Sequence, residues 1–294
     1  MDLKNLKDKK IIVTGGQGFL GYLLLEKLYL LGAQVFSFDI TLQEQNHIKH
    51  IDIDITNFDN LKEEINKIQP NFIFHLAAKL DRNRDFDNIN NISAVNYSGT
   101  LNLLRALKDV SFTNFIFTST SEVYGLSTSE PYLETDEVIA ASPYSLSKLN
   151  AENAIKTYSK IYNKNYTILR LFNFYGEGMP KGFFISDLVE KLKNNEGFDM
   201  TLGEQKRDFL AVESVINALI LSTQNVAQGN TYNVCSGKGV KIRDLAKKFK
   251  LNLKSNSVIN FGKLPYRKNE IWEMIGDNNK IKKELGWTPK ELFK

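Results

Sequence analysis

The sequence predicts an α/β protein: a doubly wound parallel sheet with helices on both faces, and a smaller C-terminal α/β lobe. Three observations carry this prediction. Over residues 1–175, apolar runs of strand length alternate with amphipathic stretches of helix length. A glycine-rich turn, Thr14–Gly21, stands between the first apolar run and the first helix. Beyond Gly176 the alternation gives way to helical stretches mixed with short strands.

In chain order, Lys10–Val13 is the first strand and Phe19–Leu31 the first helix, with Gly32 as the expected C-cap. Gln34–Phe38 is the second strand, ending at Asp39, and His47–Asp52 a short third. Asn57 opens a helix that reaches about Gln69 and is stopped by Pro70. Asn71–Leu76 is nearly continuous in apolar residues, which suits a strand covered on both faces. Lys79–Asn91 is polar and irregular, Ser93–Lys108 has helical spacing, and Phe115–Ser119 reads as another buried strand. Leu126–Ser142 is a loop of turn residues and acids. Pro143 then suits the first turn of a helix running to about Tyr162, and Tyr166–Phe172 is the sixth strand. The C-terminal lobe, expected over 176–294 with some segments returning to the first domain, has helices at Gly182–Asn194, Glu213–Thr223, Ile242–Lys250 and Asn278–Leu285, and strands such as Thr231–Val234. Ligands of open α/β sheets lie beyond the carboxyl ends of the strands, so this lobe should close over them.

The turn Thr-Gly-Gly-Gln-Gly-Phe-Leu-Gly fits two fingerprints of dinucleotide sites. Gly16, Gly18 and Gly21 match G-x-G-x-x-G, and Gly15, Gly18 and Gly21 match G-x-x-G-x-x-G. The early glycines allow the sharp turn with positive φ, the middle one admits a pyrophosphate, and the last lets helix and strand approach. The helix N-terminus, at Phe19, Leu20 and Gly21, then offers N–H groups to the phosphates. Asp39 ends the second strand 18 residues after Gly21. Its carboxylate suits an adenosine ribose and repels a 2′-phosphate, and no Lys or Arg occurs in Ile40–Asn46, so NAD is favoured over NADP.

Composition narrows the class. The 294 residues are 42% hydrophobic and 24% charged, ordinary for a globular protein. Thirty-eight basic against 34 acidic residues give a net charge of +4, too balanced to argue for nucleic acid. Cys235 is the single cysteine, so no internal disulfide forms. The charged Met1–Lys10 lacks a signal-peptide core, and no apolar run reaches membrane length. A cytoplasmic protein without membrane or nucleic-acid partners is expected. His47, His50 and His75 lack metal-ligand spacing, so no metal is expected.

Tyr144 and Lys148 lie four apart at the start of a helix and share a face. An ammonium beside a phenol lowers the phenol's pKa and makes it a usable base. Twelve tyrosines occur in the chain, and Tyr144 is the one with Lys four residues on.

Five motifs occur in one order: Thr-Gly-Gly-x-Gly-Phe-x-Gly, Leu76-Ala77-Ala78, Ser119-Thr120-Ser121-Glu122-Val123-Tyr124-Gly125, Tyr144-x-x-x-Lys148 and Arg170-Leu171-Phe172-Asn173. In these the chain resembles the extended short-chain dehydrogenase/reductases that act on nucleotide sugars, the NAD-dependent epimerase/dehydratase family. Gln205-Lys206-Arg207-Asp208-Phe209 and Pro265-Tyr266-Arg267 extend the similarity into the C-terminal lobe. The resemblance implies a Rossmann domain over 1–175 and a nucleotide-diphosphate sugar as substrate. It implies that Tyr144 takes the proton of a sugar hydroxyl, usually at C4, while the hydride passes to NAD. Lys148 would hold the nicotinamide ribose, and Thr120 the reacting oxygen; a β-branched residue ending a strand is the plainer account of Thr120. Further cofactor contacts implied are Gly15, Gly18, Asp39 with Ile40, Leu76, Ala77, Ala78, Asn96, Thr118, Ser119 and Phe172. Adenine would meet Asp54-Ile55, or Asp52-Ile53 in the other register. Lys79, Asn173, Arg207 and Arg267 would bind substrate, the two Arg through the fork of donors that suits pyrophosphate; a surface ion pair is the alternative for either. For Tyr124 and Tyr175, buried packing competes with substrate contact.

Relatives share the oxidation and differ in the steps after it. A 4,6-dehydratase needs a carboxylate pair after the catalytic Thr, and here Ser121 precedes the lone acid Glu122. Uronate decarboxylases use an Arg near Met274–Asp277, where this chain reads Met-Ile-Gly-Asp. The surviving reading is oxidoreduction at C4 of 4-epimerase or 4-dehydrogenase type, in making surface polysaccharide precursors, with a 4-ketoreductase as a further alternative. Glu122 is then an acid, a substrate hydroxyl acceptor or a solvated loop residue. A dinucleotide-binding protein without turnover is the reading from another class, opposed by the intact Thr120, Tyr144 and Lys148. Ser93–Lys108 and Pro143–Tyr162 carry apolar residues on more than one face, and the resemblance implies a homodimer through a four-helix bundle.

Overall fold

The computed structural model describes residues 6–41, 47–81, 85–125, 130–267 and 270–290. Residues 42–46, part of the stretch read for the absence of Lys and Arg, lie outside the described residues. So do 82–84 and 126–129, which belong to two expected loops, and the first five residues.

Through the first domain the strands are β1 (Lys10–Thr14), β2 (Gln34–Asp39), β3 (Lys49–Asp52), β4 (Phe72–His75), β5 (Asn114–Thr120) and β6 (Tyr166–Leu171). The helices between them are α1 (Phe19–Leu30), α2 (Phe58–Ile68), α3 (Ile89–Ser93), α4 (Thr100–Ala106) and α5 (Pro143–Tyr162). After β6 come β7 (Asn173–Tyr175), α6 (Phe184–Lys193), β8 (Phe198–Met200), β9 (Lys206–Ala211), α7 (Val212–Leu221), β10 (Asn230–Val234), β11 (Gly239–Lys241), α8 (Ile242–Asn252), β12 (Ile259–Phe261), β13 (Glu273–Met274) and α9 (Asn279–Leu285).

The main sheet is seven-stranded and parallel, in the order β10-β6-β5-β4-β1-β2-β3. Its central strands alternate side chains between two cores, as a pleat of period two requires. Ile11 and Val13 face one core and Ile12 the other; Phe72 and Phe74 face the first and Ile73 the second. The near-continuous apolar runs of the sequence come from this two-sided burial. A third core, with Leu188, Phe209, Leu245 and Phe249, fills the C-terminal lobe around β8, β9 and β12.

Two elements differ from the expectation. The sequence assigns Thr231–Val234 to the lobe, but as part of β10 it is the edge strand of the main sheet, paired with β6. A five-residue strand carries no sign of its partner in its own sequence. The helix expected over Ser93–Lys108 begins at Ile89 and contains a π-helical turn, Ala94–Gly99, between α3 and α4. A 3.6-residue period cannot register such a turn, which recurs at functional sites.

Candidate active site

The carboxyl ends of β1, β4, β5 and β6 open into a cleft of about 910 Å3, closed on its far side by the C-terminal lobe. The glycine-rich turn forms one wall. Gly15 has φ +70°, and a Cβ there would lie 2.7 Å from the Ala77 backbone nitrogen; at Gly21 it would lie 2.1 Å from the Gly15 carbonyl oxygen. Gly16 has no positive φ. Its lack of a side chain is demanded by Ser37 Oγ, 2.2 Å from where a Cβ would stand. Gly18 is the N-cap of α1 and supplies no side chain to cap it, so the first-turn N–H groups face the cleft, which Gly18, Phe19, Leu20 and Gly21 line. This cradle fits a pyrophosphate.

Asp39 stands behind the turn rather than in the cleft lining. Its Oδ2 accepts the Gln17 N–H at 2.9 Å and its Oδ1 the Thr41 N–H at 3.1 Å. Ile40 beside it is exposed. Asp52 pairs with Asp39 across β2 and β3, and the Ile53 N–H donates to the Asp39 carbonyl. Asp54 is exposed and accepts the N–H and hydroxyl of Thr56, both at 2.8 Å. The Ile55 side chain is buried against Gly99, so any contact it makes with a base is through its backbone.

A second wall holds Thr120, Glu122, Tyr144 and Lys148. Thr120 ends β5, lines the cleft and accepts the Glu122 N–H at 3.2 Å, which starts a short helical turn. Ser142 caps α5 in a reciprocal box with Ser145, Pro143 takes the first helical position, and Tyr144 follows. Tyr144 and Lys148 therefore share a face, and both line the cleft. Glu122 reaches the same corner, accepting the Ser142 hydroxyl at 3.3 Å.

The electrostatics depart from the expectation. Burial, and then the Glu122 carboxylate, hold the Tyr144 phenol above its ordinary pKa rather than below it. Burial also pulls Lys148 down to about 7, against the opposing charge of Glu152. Lys148 is 2% exposed, with Nζ 4.3 Å from the Phe117 ring centroid. Spacing alone shows that phenol and amine share a face; it does not show how dry that face is.

Leu76, Ala78, Thr118, Ser119, Phe172, Asn173, Arg207 and Arg267 also line the cleft. Arg207 makes an ion pair with Glu270, Nη2 to Oε1 at 2.7 Å, and Arg267 is exposed. The Asn173 amide donates to the Asp208 carbonyl at 3.2 Å. Ala77, Lys79 and Asn96 do not line the cleft. The Lys79 ammonium donates to Asn91 Oδ1 at 2.8 Å, and the Asn96 amide is buried against the Lys79 backbone and Ser147. Tyr124 is fully buried, stacked on Tyr132 at 4.8 Å and donating to Asn233, so packing is its role. Tyr175 packs edge-on against Phe249.

The family model described as GDP-mannose 4,6 dehydratase matches residues 12–294. The chain belongs to this family. Its members are NAD-dependent nucleotide-sugar enzymes of the short-chain dehydrogenase/reductase type. The chain is 29% identical to a CDP-paratose 2-epimerase of Salmonella typhi, with 96% of this chain and 95% of the relative aligned. It is 28% identical to a GDP-6-deoxy-D-talose 4-dehydrogenase of Aggregatibacter actinomycetemcomitans, over 94% and 91%. Among solved structures it resembles the UDP-glucose 4-epimerase of Thermotoga maritima with UDP-glucose, with a TM-score of 0.89 and 26% identity over 96% and 94%. No helix among the described residues is long and apolar enough to cross a membrane, and no group of metal-ligating side chains occurs among them.

Sequence reasoning missed four side chains, two that line this cleft and two buried behind it. Glu152 continues the stripe Tyr144, Lys148 by one more turn, a readable signal. It is buried, takes a two-point bond from Arg170 at 3.1 and 2.9 Å, and accepts the Ser119 hydroxyl at 2.6 Å. Glu270 follows Arg267 in sequence, but nothing there reveals its pairing with Arg207. Gln205 lines the C-terminal lobe of the cleft with a buried, unpartnered Oε1. His75, the residue before Leu76-Ala77-Ala78, is fully buried between strands.

Proposed function

We propose that the chain catalyses NAD-dependent oxidoreduction at C4 of a nucleotide-diphosphate sugar, as a 4-epimerase or 4-dehydrogenase, supplying precursors of surface polysaccharide. The observation that carries this is the convergence of Thr120, Tyr144 and Lys148 on one cleft with the glycine cradle of α1. NAD held at that cradle supplies the hydride acceptor. Gly15, Gly18, Phe19, Leu20 and Gly21 bind its pyrophosphate, and Asp39 with Ile40 its adenosine ribose. Asp54 with Ile55, or Asp52 with Ile53 in the other register, would meet the adenine, while Leu76, Ala78, Thr118, Ser119 and Phe172 would line its path. Tyr144 Oη takes the C4 hydroxyl proton, Thr120 Oγ1 hydrogen-bonds the same oxygen, and Lys148 places positive charge beside them. Because burial and Glu122 disfavour the phenolate, the positive charges of Lys148 and of the oxidised nicotinamide are needed to reverse that preference.

Asn173, Arg207 and Arg267 take the substrate diphosphate, with Arg207 already ordered by Glu270. Lys79 approaches the sugar only by leaving Asn91. Elimination and decarboxylation are disfavoured. Ser121 is buried, and Glu122 stands as the lone acid of its turn. At Gly276 a Cβ would lie 2.5 Å from the Phe172 ring and 2.7 Å from Cys235 Sγ, so that position has no room for a side chain. Relatives named as a UDP-glucuronic acid decarboxylase (28% identical) and a CDP-abequose synthase (27%) keep the other outcomes as alternatives.

Incubation with a panel of UDP-, GDP-, CDP- and dTDP-sugars tests the reading. Unchanged product mass with an altered sugar supports epimerisation, and loss of two hydrogens supports dehydrogenation. Loss of water or carbon dioxide overturns the proposal. Tyr144→Phe should bind NAD and lose turnover; a variant as active as the parent also overturns it.

A homodimer is proposed on the face of α4 and α5. That face holds a groove of about 420 Å3 lined by Tyr97, Leu101, Arg105, Tyr158, Ile161 and Tyr162. Ile161 there is 65% exposed.

A further inference from the structure

His75 ends β4 one residue before the Leu76–Ala78 edge of the cleft and takes no part in the chemistry above. Its ring is fully buried, tilted against Phe115 and Phe117 at 5.8 and 5.5 Å. Both ring nitrogens are engaged: Nδ1 lies 2.7 Å from Thr14 Oγ1, and Nε2 lies 2.8 Å from Thr100 Oγ1. The direction of every bond follows from the inventory of protons. Thr100 Oγ1 gives its one proton to the Asn96 carbonyl, 2.6 Å away, which can only accept. Thr100 must therefore accept from His75, so Nε2 carries the proton. Neutral His75 then accepts at Nδ1 from the Thr14 hydroxyl. Thr14 Oγ1 in turn accepts the Ala77 N–H at 3.2 Å.

The chain of bonds continues beyond Asn96. The Asn96 side chain accepts the Lys79 N–H at 2.7 Å, donates to the Lys79 carbonyl at 3.0 Å, and donates its second proton to Ser147 Oγ at 3.0 Å. Ser147 donates to the Tyr144 carbonyl at 2.7 Å. Thr14, His75, Thr100, Asn96 and Ser147 are all buried. A single relay thus joins the glycine-rich turn, the segment 76–79, the π-helical turn and the first turn of the catalytic helix.

We propose that His75 is a positioning residue for the dinucleotide: as the neutral Nε2–H form it fixes the 76–79 segment against the glycine-rich turn and, through Thr100 and Asn96, against the first turn of α5. Leu76 and Ala78 face the cleft while Ala77 and Lys79 are held from behind, so the segment is clamped on the side away from the ligand. The alternative tautomer would set Nδ1–H against Thr14, whose hydroxyl proton would then need a new acceptor. The inference rests on the reading of the cleft as the NAD site.

The test uses the full-length protein labelled with 15N at histidine, with His75 assigned by the loss of its signals in His75→Gln. The expected spectrum shows Nε2 protonated and Nδ1 bare, with the Nε2 proton protected from exchange. NAD affinity is measured by fluorescence titration for Thr100→Val, Thr14→Val and the double variant, with Thr100→Ser as the conservative control. A broken buried bond should weaken NAD binding by about tenfold in each Val variant, and the double variant should fall short of the product because both act through one ring. Thr100→Ser, which keeps the hydroxyl, should bind NAD within about twofold of the parent. Should a Val variant fail to fold, the tautomer of the parent protein still decides. An Nδ1–H tautomer overturns the proposal. So do Val variants that melt earlier but bind NAD like the parent, since that is the behaviour of plain structural support. A parent protein that binds no NAD overturns the reading of the cleft, and this inference with it.

Discussion

Replacing Glu152 by Gln removes one charge from a buried pair and leaves the other stranded. Glu152 is fully buried, and its partner Arg170 is 3% exposed. The two share a fork of bonds at 3.1 and 2.9 Å, and the Ser119 hydroxyl adds a third at 2.6 Å. Breaking such a pair on one side costs about 3–5 kcal/mol, because the surviving ion has no solvent to return to. At about 2.1 cal/mol/K per residue, a chain of this length has an unfolding entropy near 0.6 kcal/mol/K, so Tm should fall by about 5–8 °C. Glu152→Met with Arg170→Met removes both charges, keeps the volume, and should recover most of that loss. Rates provide a second readout. Glu152 is the charge that opposes the burial of Lys148, so in Glu152→Gln the ammonium is lost at lower pH. The alkaline limb of kcat/KM should move toward acid. Scanning calorimetry and a pH series check both statements. A double variant as unstable as the single one, or a pH profile that does not move, would refute the reasoning.

Other outcomes rest on named atoms. Burial, and then the charge of Lys148, hold His75 at about 3, far below its ordinary value of 6.5. The unfolded chain therefore takes up a proton that the native state refuses. The His75 contribution to stability is complete above pH 6.5 and falls by up to about 1.4 kcal/mol per pH unit as pH drops from 6.5 toward 3. His75→Gln should lack that contribution, so denaturant titrations at pH 7 and 5 showing equal losses in both proteins would refute it. Gly21→Ala sets a Cβ 2.1 Å from a backbone carbonyl that cannot yield, and should cost about 3 kcal/mol or more with a sharp loss of NAD affinity. Gly229→Ala meets nothing within 4 Å and, at φ +76°, should cost about 1 kcal/mol and leave NAD affinity alone. Light scattering at micromolar concentration should give the mass of the proposed dimer for the parent and of a monomer for Ile161→Asp on the α4–α5 face; a monomeric parent refutes the dimer, and a variant that stays dimeric places the interface elsewhere.

Most of the architecture was legible because the strands are buried on both faces. Ile11, Ile12 and Val13 are apolar in succession since each has a core to face, and the glycine turn announces its own stereochemistry. The partners of β10 were hidden, as pairing is a tertiary choice that Asn230–Val234 does not encode locally. In the site, residue types at fixed spacing gave the convergence of Tyr144 and Lys148. Their protonation was not legible, because it depends on how dry the corner is and on Glu122, brought near by Ser142. Asn96 read as a cofactor contact; the structure turns its amide toward Lys79 and Ser147. Arg207 read as a phosphate ligand with an ion pair as the alternative; which acid pairs with it was hidden, because Glu270 lies 63 residues away.

The placement of β10 has a practical consequence for anyone wishing to trade specificities among such enzymes. The outermost rung of the first half's sheet is made by chain that has already passed through the second half, and Trp287, later still, donates its indole N–H to Ser214 at the head of α7. A single splice near residue 175 would therefore carry off part of the platform along with the substrate lobe. A working chimera must exchange an interior segment and leave both ends of the polypeptide at home.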